Sequence, residues 1–255
     1  GSEMCIRDRI ESLADNVINP ITGELFSIPS LDMGGYADLR FILREGGSMG
    51  DLYSRTDLRR DANGAIYMDE SNNVYTQKID NPDSYIKLGS VLPKGNLAWR
   101  NNFMWKNFHV GFMISARLGG VVFSRTQAVL DKFGVSEASA NARDNGFVLI
   151  NGNDRINPEN WYTTVGSTAV PQYYTYSATN VRLQEASIGY TIPRKWLANI
   201  CDIKVSLIGR NLWMIYNKAP FDPEAVASTD NFYQGIDNFM MPSLRNVGFS
   251  LNFKF

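Results

Sequence analysis

The sequence predicts an all-β fold, an antiparallel transmembrane β-barrel fragment with about five long strands, long loops and an incomplete barrel. The first observation is that residues 246–255 alternate without exception. Because successive side chains of a strand point to opposite faces, the apolar residues share one face. About ten residues is also the length at which a tilted strand crosses a bilayer. A strand of a soluble β-sandwich can alternate in the same way. The second observation, which favours the membrane barrel over the sandwich, is that the same pattern recurs upstream.

Four upstream segments alternate or nearly alternate: 97–105, 109–118, 182–192 and 203–210. The first two are separated only by residues 106–108, which predicts a tight hairpin. The third segment slips in phase near Gln184 and Glu185, and such a slip predicts a β-bulge. It ends at Pro193, because proline cannot donate to a β-ladder. The fourth segment departs from the pattern at Ile208.

The connections alternate between short and long. The short ones are 106–108 and 193–202, with one helical turn expected at 194–199; the long ones are 10–95, 119–180 and 213–242. Short turns at one end and long loops at the other are typical of outer-membrane barrels, whereas a soluble sandwich spaces its turns about every 8–12 residues. Inside the long connections we expect a hairpin at 36–44 and a helix at 126–133, and no internal repeat.

The domain organisation expected from these patterns has three parts. Residues 1–9 resemble translated adapter sequence and are excluded from fold reasoning, the alternative being an ordinary polar start. Residues 10–95 form a long loop region with a minor hairpin, and residues 96–255 form the barrel strands. Five strands cannot close a membrane barrel, and an open edge in lipid would leave backbone groups unpaired at a cost of several kcal/mol each. We therefore expect a piece of a larger protein.

Composition narrows the function classes. The net charge of −1, from 25 basic and 26 acidic residues, gives no basic field for nucleic acid. Cys5 and Cys201 have no metal-binding spacing, and His109 has no nucleophile or carboxylate near it in sequence, so we expect a turn residue there. No phosphate loop, zinc spacing or nucleophile elbow occurs. The sequence predicts neither an enzyme nor a cofactor.

Six short motifs occur in order over residues 44–255. They are 44–53 (REGGSMGDLY), 85–94 (YIKLGSVLPK), 105–108 (WKNF), 180–193 (NVRL and IGYTIP), 209–212 with 222–224 (GRNL and DPE), and the Phe-terminated last strand. Each motif is weak alone. Together they resemble the carboxy-terminal part of a SusC/RagA-type TonB-dependent outer-membrane transporter.

The resemblance implies a fold and a function for the parent protein. Such transporters are single-chain barrels of about 22 strands around an amino-terminal plug, and they import oligosaccharides, glycans or peptides in Bacteroidota-like Gram-negative bacteria. A SusD-like surface lipoprotein covers the extracellular mouth, and the TonB–ExbB–ExbD machinery moves the plug. The plug and most of the barrel are absent here. The long connections would be extracellular and the short ones periplasmic, with the chain in the cell outer membrane.

Within that frame, side chains on the polar strand faces are expected to face the lumen, where they solvate the wall, pair with one another or contact the plug. These residues are Arg100, Asn102, Arg117, Lys204, Arg210, Asn252 and Lys254. Aromatic side chains are expected at the membrane rims, Trp105, Tyr190, Trp196 and Phe255 at the inner rim and Trp213 at the outer one. The alternative is ordinary sheet packing. Phe253 and Phe255 are expected to form a membrane-assembly signal.

Aromatic residues of the second long loop are the candidate substrate contacts, because flat rings suit sugars or peptide side chains. They are Trp161, Tyr162, Tyr173, Tyr174 and Tyr176. They could instead pack the loop or face the lipoprotein. Asp222-Pro223-Glu224 is expected to fix a turn, since two carboxylates fall short of the roughly 6–8 oxygens that calcium takes.

Two rival functions remain. A secreted soluble β-rich glycan-binding module would bury the apolar faces against each other. A glycoside hydrolase would need two carboxylates about 5–10 Å apart across a sugar, and the sequence indicates no such pair.

Overall fold

The computed structural model describes residues 9–167, 170–197, 200–228 and 233–254. The strands are β1 (Ala14–Ile18), β2 (Leu25–Ile28), β3 (Ser30–Tyr36), β4 (Leu39–Arg44), β5 (Asp51–Ser54), β6 (Thr56–Leu58), β7 (Thr76–Lys78), β8 (Ile86–Ser90), β9 (Gly95–Trp105), β10 (Phe108–Leu118), β11 (Val121–Ser124), β12 (Val148–Ile150), β13 (Asp154–Ile156), β14 (Thr175–Ser177), β15 (Asn180–Ile192), β16 (Asp202–Asn217), β17 (Ile236–Asp237) and β18 (Asn246–Lys254). The helices are α1 (Arg125–Lys132), α2 (Glu137–Asn145) and α3 (Pro158–Gly166), with single 3₁₀ turns at Pro82–Ser84, Pro171–Tyr174 and Arg194–Trp196.

The five predicted strands form one antiparallel sheet in the order β9-β10-β15-β16-β18. Each strand pairs with its predecessor among these five, so the sheet is an up-and-down meander, and β9 and β18 lie at its two edges. The antiparallel fold class is therefore confirmed, and the sheet is open rather than closed into a barrel.

Two strand boundaries differ from the predictions for local reasons. Phe108 pairs with Trp105, so the hairpin link is residues 106–107, and Lys106 takes a left-handed conformation there with φ of 52°. Strand β16 continues well past residue 210, because a bulge at Asn211, with φ of 51°, breaks the alternation without ending the pairing. The predicted bulge near Gln184 is confirmed by the register shift between Leu183 and Glu185.

The long connections leave the sheet from one end and fold together. We call residues 10–94, 119–179 and 218–245 the loop body. Its hydrophobic core takes buried side chains from all three connections, including Leu39, Phe123, Val165 and Ile236. The helix predicted at 126–133 is present as α1, which begins one residue earlier; the hairpin predicted at 36–44 is part of the β3–β4 hairpin, which begins at Ser30. The further small sheets were not predicted, because short strands of this kind have too few residues to show a period.

Local capping explains the helix boundaries in the loop body. Ser124 Oγ accepts a hydrogen bond from the Gln127 N–H at 3.0 Å, and Asn157 Oδ1 accepts one from the Glu159 N–H at 2.8 Å. Pro158 follows Asn157 as the first helical residue of α3. None of the helices in the described ranges is long and apolar enough to cross a membrane.

The loop body is joined to the sheet by hydrogen bonds at the strand ends. The Lys94 N–H donates to the Leu118 carbonyl at 2.7 Å, and an Arg117 guanidinium N–H donates to the Val91 carbonyl at 2.7 Å. These bonds fix where the loop body sits above the strands.

Candidate functional site

One face of the five-stranded sheet, here the outer face, is apolar and uncovered. The register aligns its side chains in rows across the sheet, for example Phe103, Val110, Ile188, Leu207 and Phe249. Leu207 is 54% exposed and Phe249 is 77% exposed. Among the described residues of these five strands, no Asp, Glu, Lys or Arg points to this face. A contiguous apolar face of this size marks contact with a membrane or another protein.

The height of the outer face matches a bilayer. Strand β10 spans Phe108–Leu118, which is about 34 Å at roughly 3.4 Å per residue. A tilt of about 45° would project that length to roughly 24 Å, close to the apolar band of about 25 Å on outer-membrane barrels.

Aromatic side chains concentrate at the hairpin end of the outer face. The Trp105 and Phe108 rings stack at 6.5 Å, and Phe108 meets Tyr190 edge-on at 4.8 Å. Trp196 is exposed in the short link after β15, and Trp213 is exposed in the half of β16 nearer the loop body. These positions suit the expected rim roles, which remain predictions. Phe255 lies outside the described residues.

The opposite face, here the inner face, is polar. The register places all seven residues expected to face the lumen on it: Arg100, Asn102, Arg117, Lys204, Arg210, Asn252 and Lys254. Glu185 lies between two of them, 2.8 Å from an Arg100 guanidinium nitrogen and 3.4 Å from Arg210 Nε. Sequence reasoning identified Glu185 only as part of a predicted bulge. The feature that could have identified Glu185 in advance is a carboxylate on the polar face of a strand whose neighbouring strands carry arginines on the same face.

Two glycines on the inner face leave space that neighbouring polar side chains occupy. A Cβ at Gly111 would lie 2.6 Å from Asn102 Oδ1, and one at Gly189 would lie 2.6 Å from Ser206 Oγ. His109 was expected in a turn, but it lies in β10, and its Nε2 is 2.9 Å from Thr191 Oγ1. The turn is one residue shorter than expected, so the strand begins at Phe108 and His109 is its second residue.

A buried charge cluster, here the Arg182 cluster, joins β15 to the connection 218–245. Arg182 Nη2 lies 2.8 Å from Asp222 Oδ1 and 3.2 Å from Glu224 Oε2. The Arg182 and Asp222 side chains are 5% and 8% exposed, whereas that of Glu224 is 39% exposed. Arg182 Nη1 also donates to Ser243 Oγ at 3.4 Å. The cluster brings together the Arg-Leu and Asp-Pro-Glu motifs, which are distant in sequence.

Asp222 has two roles in this cluster. Its Oδ1 accepts the Glu224 N–H at 3.1 Å, which fixes the turn expected at Asp222-Pro223-Glu224. Burial alone would raise the pKa of the Asp222 carboxyl, but hydrogen bonds from Ser243, Arg182 and the Glu224 N–H outweigh burial and lower it. The partner, Arg182, was not foreseen.

The candidate substrate aromatics pack within the loop body. Trp161 meets Tyr173 edge-on at 5.5 Å, and Tyr176 meets Phe221 at 5.6 Å. Tyr174 is only 3% exposed, so its ring is closed to an outside molecule in this conformation. Burial, with Asp131 adding a smaller effect, raises the pKa of Tyr176 to about 12. Tyr162 lines a cleft of about 250 Å³ between the helices, with its hydroxyl donating to the Ala138 carbonyl at 3.3 Å. The five rings do not gather at one open surface.

A pair of repeated turns lies between β6 and β7, although no internal repeat was expected. Asp61 Oδ1 accepts the N–H groups of Asn63 and Ala65, and Asp69 Oδ1 accepts those of Ser71 and Asn73. The unit is eight residues long, Asp61 to Met68 and then Asp69 to Thr76, and each copy has an apolar residue followed by Tyr at its sixth and seventh positions. Two copies of eight residues are too short to stand out as a repeat in the sequence alone.

The spacing aligns three side chains along one side of these turns. The Arg59 guanidinium lies over the Tyr67 ring at 4.6 Å, and Tyr67 and Tyr75 lie 6.5 Å apart between ring centroids. The three residues follow one another at intervals of eight in the sequence. They form a partly exposed aromatic row on the loop body.

Comparisons with known proteins agree with this geometry. The chain is 27% identical over 210 residues to TonB-dependent receptor P3 of Formosa agariphila, matching 76% of this chain and 19% of that receptor. No family profile matches the chain.

Solved structures show the same fold. One is the RagAB peptide importer in the "closed-closed" state, with a TM-score of 0.58, 17% identity, and coverage of 91% of this chain and 25% of that chain. Another is the RagAB peptide importer in the "open-open" state, with a TM-score of 0.60, 14% identity, and coverage of 90% and 24%. The chain therefore spans about a fifth of the curated receptor that it matches and about a quarter of the RagAB chains. Sequence and fold together agree with the resemblance: the chain is similar in sequence to one part of a TonB-dependent receptor and shares its fold with one part of the RagAB importer.

Proposed function

We propose that the chain supplies strands and outer loops to an outer-membrane importer of oligosaccharides or peptides. The uncovered, uncharged outer face carries this proposal, because lipid tails are the environment that stabilises such a face. The inner face would line part of a hydrated lumen, and the loop body would face the cell exterior. The related receptor and the RagAB importer support the assignment.

The importer works by binding and passage, without covalent chemistry. The loop body binds the cargo, and a SusD-like lipoprotein covers it from outside. TonB–ExbB–ExbD supplies energy through a plug that lies outside this chain. The short links face the periplasm, Trp105 and Tyr190 anchor the inner rim, and Phe253 and Phe255 direct assembly. The Arg182 cluster holds the connection 218–245 against β15 during the cycle.

The structure favours the importer over a secreted soluble module. In a soluble module the outer face would be buried beneath a second layer, but its side chains are exposed in this chain, for example Trp105 at 69%. The inner face carries the charges instead, for example the Glu185 pairs with Arg100 and Arg210. This distribution is the reverse of a protein that packs its apolar face inside and dissolves in water.

The experiment is fractionation combined with uptake, using the complete receptor in its own bacterium. We expect the receptor in the outer-membrane fraction, as a heat-modifiable band extracted only by detergent. Deleting its gene should abolish growth on one class of oligosaccharide or peptide, and removing TonB should have the same effect. Recovery of the intact receptor in the aqueous supernatant would contradict the proposal.

A further inference from the structure

An open groove lies beside the repeated turns of the loop body, and the proposed function assigns no role to it. It has a volume of about 410 Å³ and lies between α3 and residues 73–76. Its lining is Asn73, Val74, Tyr75, Thr76, Asn160, Thr163, Thr164 and Ser167. Among the residues the structure describes, no charged side chain lines it. The lining is one aromatic ring, several hydroxyls and two amides.

The two walls of the groove are held together by hydrogen bonds. Asn160 Nδ2 donates to the Asn72 carbonyl at 2.9 Å, and Thr164 Oγ1 reaches the Val74 carbonyl at 3.5 Å. Val74 is buried in the small core with Ile150 and Ile156. These contacts hold the two walls of the groove against each other.

The Tyr75 ring is fixed in orientation. Its hydroxyl donates to Asp69 Oδ2 at 2.7 Å, and Asp69 is itself held by the second repeated turn. The ring is nevertheless 44% exposed. An immobilised, accessible ring loses little conformational entropy when a flat partner stacks on it. The aromatic row of Tyr67 and Arg59 continues from Tyr75 away from the groove, so a chain-like ligand would meet further contacts.

We propose that this groove is a binding site for neutral oligosaccharides, with Tyr75 as the stacking platform and with Asn160 Oδ1 and Thr163 Oγ1 as acceptors for ring hydroxyls, because Asn160 Nδ2 and the Thr163 hydroxyl already donate to the Asn72 and Glu159 carbonyls. A sugar presents a C–H face and a rim of hydroxyls, which match one ring and a set of uncharged donors and acceptors. Among the described residues that line the groove itself, none offers a counter-charge to the charged side chains or termini of a peptide, and Val74 is the one aliphatic residue; the charged groups Asp69, at the Tyr75 hydroxyl, and Arg59, over Tyr67, are not part of that lining. The inference rests on the proposed import function and specifies its cargo class.

The test is binding of named probes to the complete detergent-solubilised receptor by isothermal titration calorimetry. The probes are maltohexaose, cellohexaose, xylohexaose and laminarihexaose, with an end-capped neutral decapeptide of mixed sequence as the competing class. We expect at least one hexaose to bind, and we expect Tyr75→Ala to weaken it about tenfold, since truncating an aromatic anchor has that scale of effect. Tyr75→Phe keeps the ring and should retain most of the affinity.

A matched control separates stacking from general damage. Tyr233 is 48% exposed, close to the exposure of Tyr75, and does not line the groove. Tyr233→Ala should bind the hexaose as the wild type does, and Thr163→Val, which removes a groove hydroxyl at nearly constant size, should weaken it severalfold. Equal affinities for Tyr75→Ala and the wild type, hexaose binding lost equally in both alanine variants, or binding of the decapeptide alone would overturn the site. An absence of binding by all five probes would also overturn it. None of these results would alter the membrane fractionation and TonB dependence that test the import function.

Discussion

Replacing Arg182 by methionine tests how the connection 218–245 is held to the sheet. Arg182 and Asp222 are both more than nine-tenths buried and lie 2.8 Å apart, so the variant leaves a buried carboxylate without its cation. Breaking a buried pair in this way costs about 3–5 kcal/mol. Glu224 is 39% exposed and contributes little to that figure, because water screens it. The bonds to Asn180 and Ser243, at 3.3 and 3.4 Å, are long. We therefore take the lower end, about 3 kcal/mol.

The assay is hydrogen exchange by mass spectrometry on the complete receptor, read over residues 218–245. A loss of about 3 kcal/mol corresponds to roughly a 100-fold faster exchange of amides that open with this segment. Arg210→Met is the matched control, because Arg210 is also paired with a carboxylate but its side chain is 67% exposed. The control should lose less than about 1 kcal/mol. Equal exchange rates over 218–245 in the two variants would mean that the Arg182–Asp222 pair does not hold this segment to the sheet.

The outer face, the β3–β4 hairpin and the acid sensitivity of Asp222 give three further tests. Leu207→Arg should destabilise the receptor in lipid by about 2–4 kcal/mol, and Ser206→Arg on the inner face should not, as measured by the urea midpoint of the heat-modifiable band; equal midpoints would count against the outer face. Gly35→Ala and Gly34→Ala both put alanine at a positive φ, 156° and 96°, but only Gly35→Ala places its Cβ 2.1 Å from the Leu39 carbonyl oxygen, so this variant should be cleaved in the hairpin by protease faster than Gly34→Ala. The pKa of Asp222 is below its ordinary 3.8, so its contribution to stability is present above that pH and lost as the pH falls below it; exchange over 218–245 that already accelerates at pH 6 would contradict this.

The sheet could be predicted because a membrane strand must alternate along its whole length. Phe249 and Leu251 show that period in the sequence, and the structure pairs them with Leu207 and Val205 as a single face requires. Strand bounds were less predictable where one residue left the period. Asn211 adopts a left-handed conformation at a bulge in β16, and an irregularity of that kind looks in sequence like the end of a strand.

The loop body could not be predicted, because its core is assembled from residues far apart in sequence. Leu52, Phe123 and Ile236 are buried together although each sits in a different connection. The Arg182 cluster has the same origin, since Arg182 and Asp222 are forty positions apart. Composition had suggested Tyr174 as a ligand contact, but the fold buries it. Exposure in a folded loop is set by tertiary packing, and residue type alone does not reveal it.

The most direct test of the account is the environment of two adjacent residues on β15, a central strand of the sheet. Ile188 lies on the outer face and Ser187 on the inner face. Each is replaced by cysteine and spin-labelled in the complete receptor, with Cys5 and Cys201 changed to serine, and the protein is reconstituted in lipid. We expect the label at 188 to collide with dissolved oxygen and not with a water-soluble nickel complex, and the label at 187 to show the opposite preference. If both labels collided mainly with the nickel complex, the outer face would not contact lipid and the membrane assignment would be wrong.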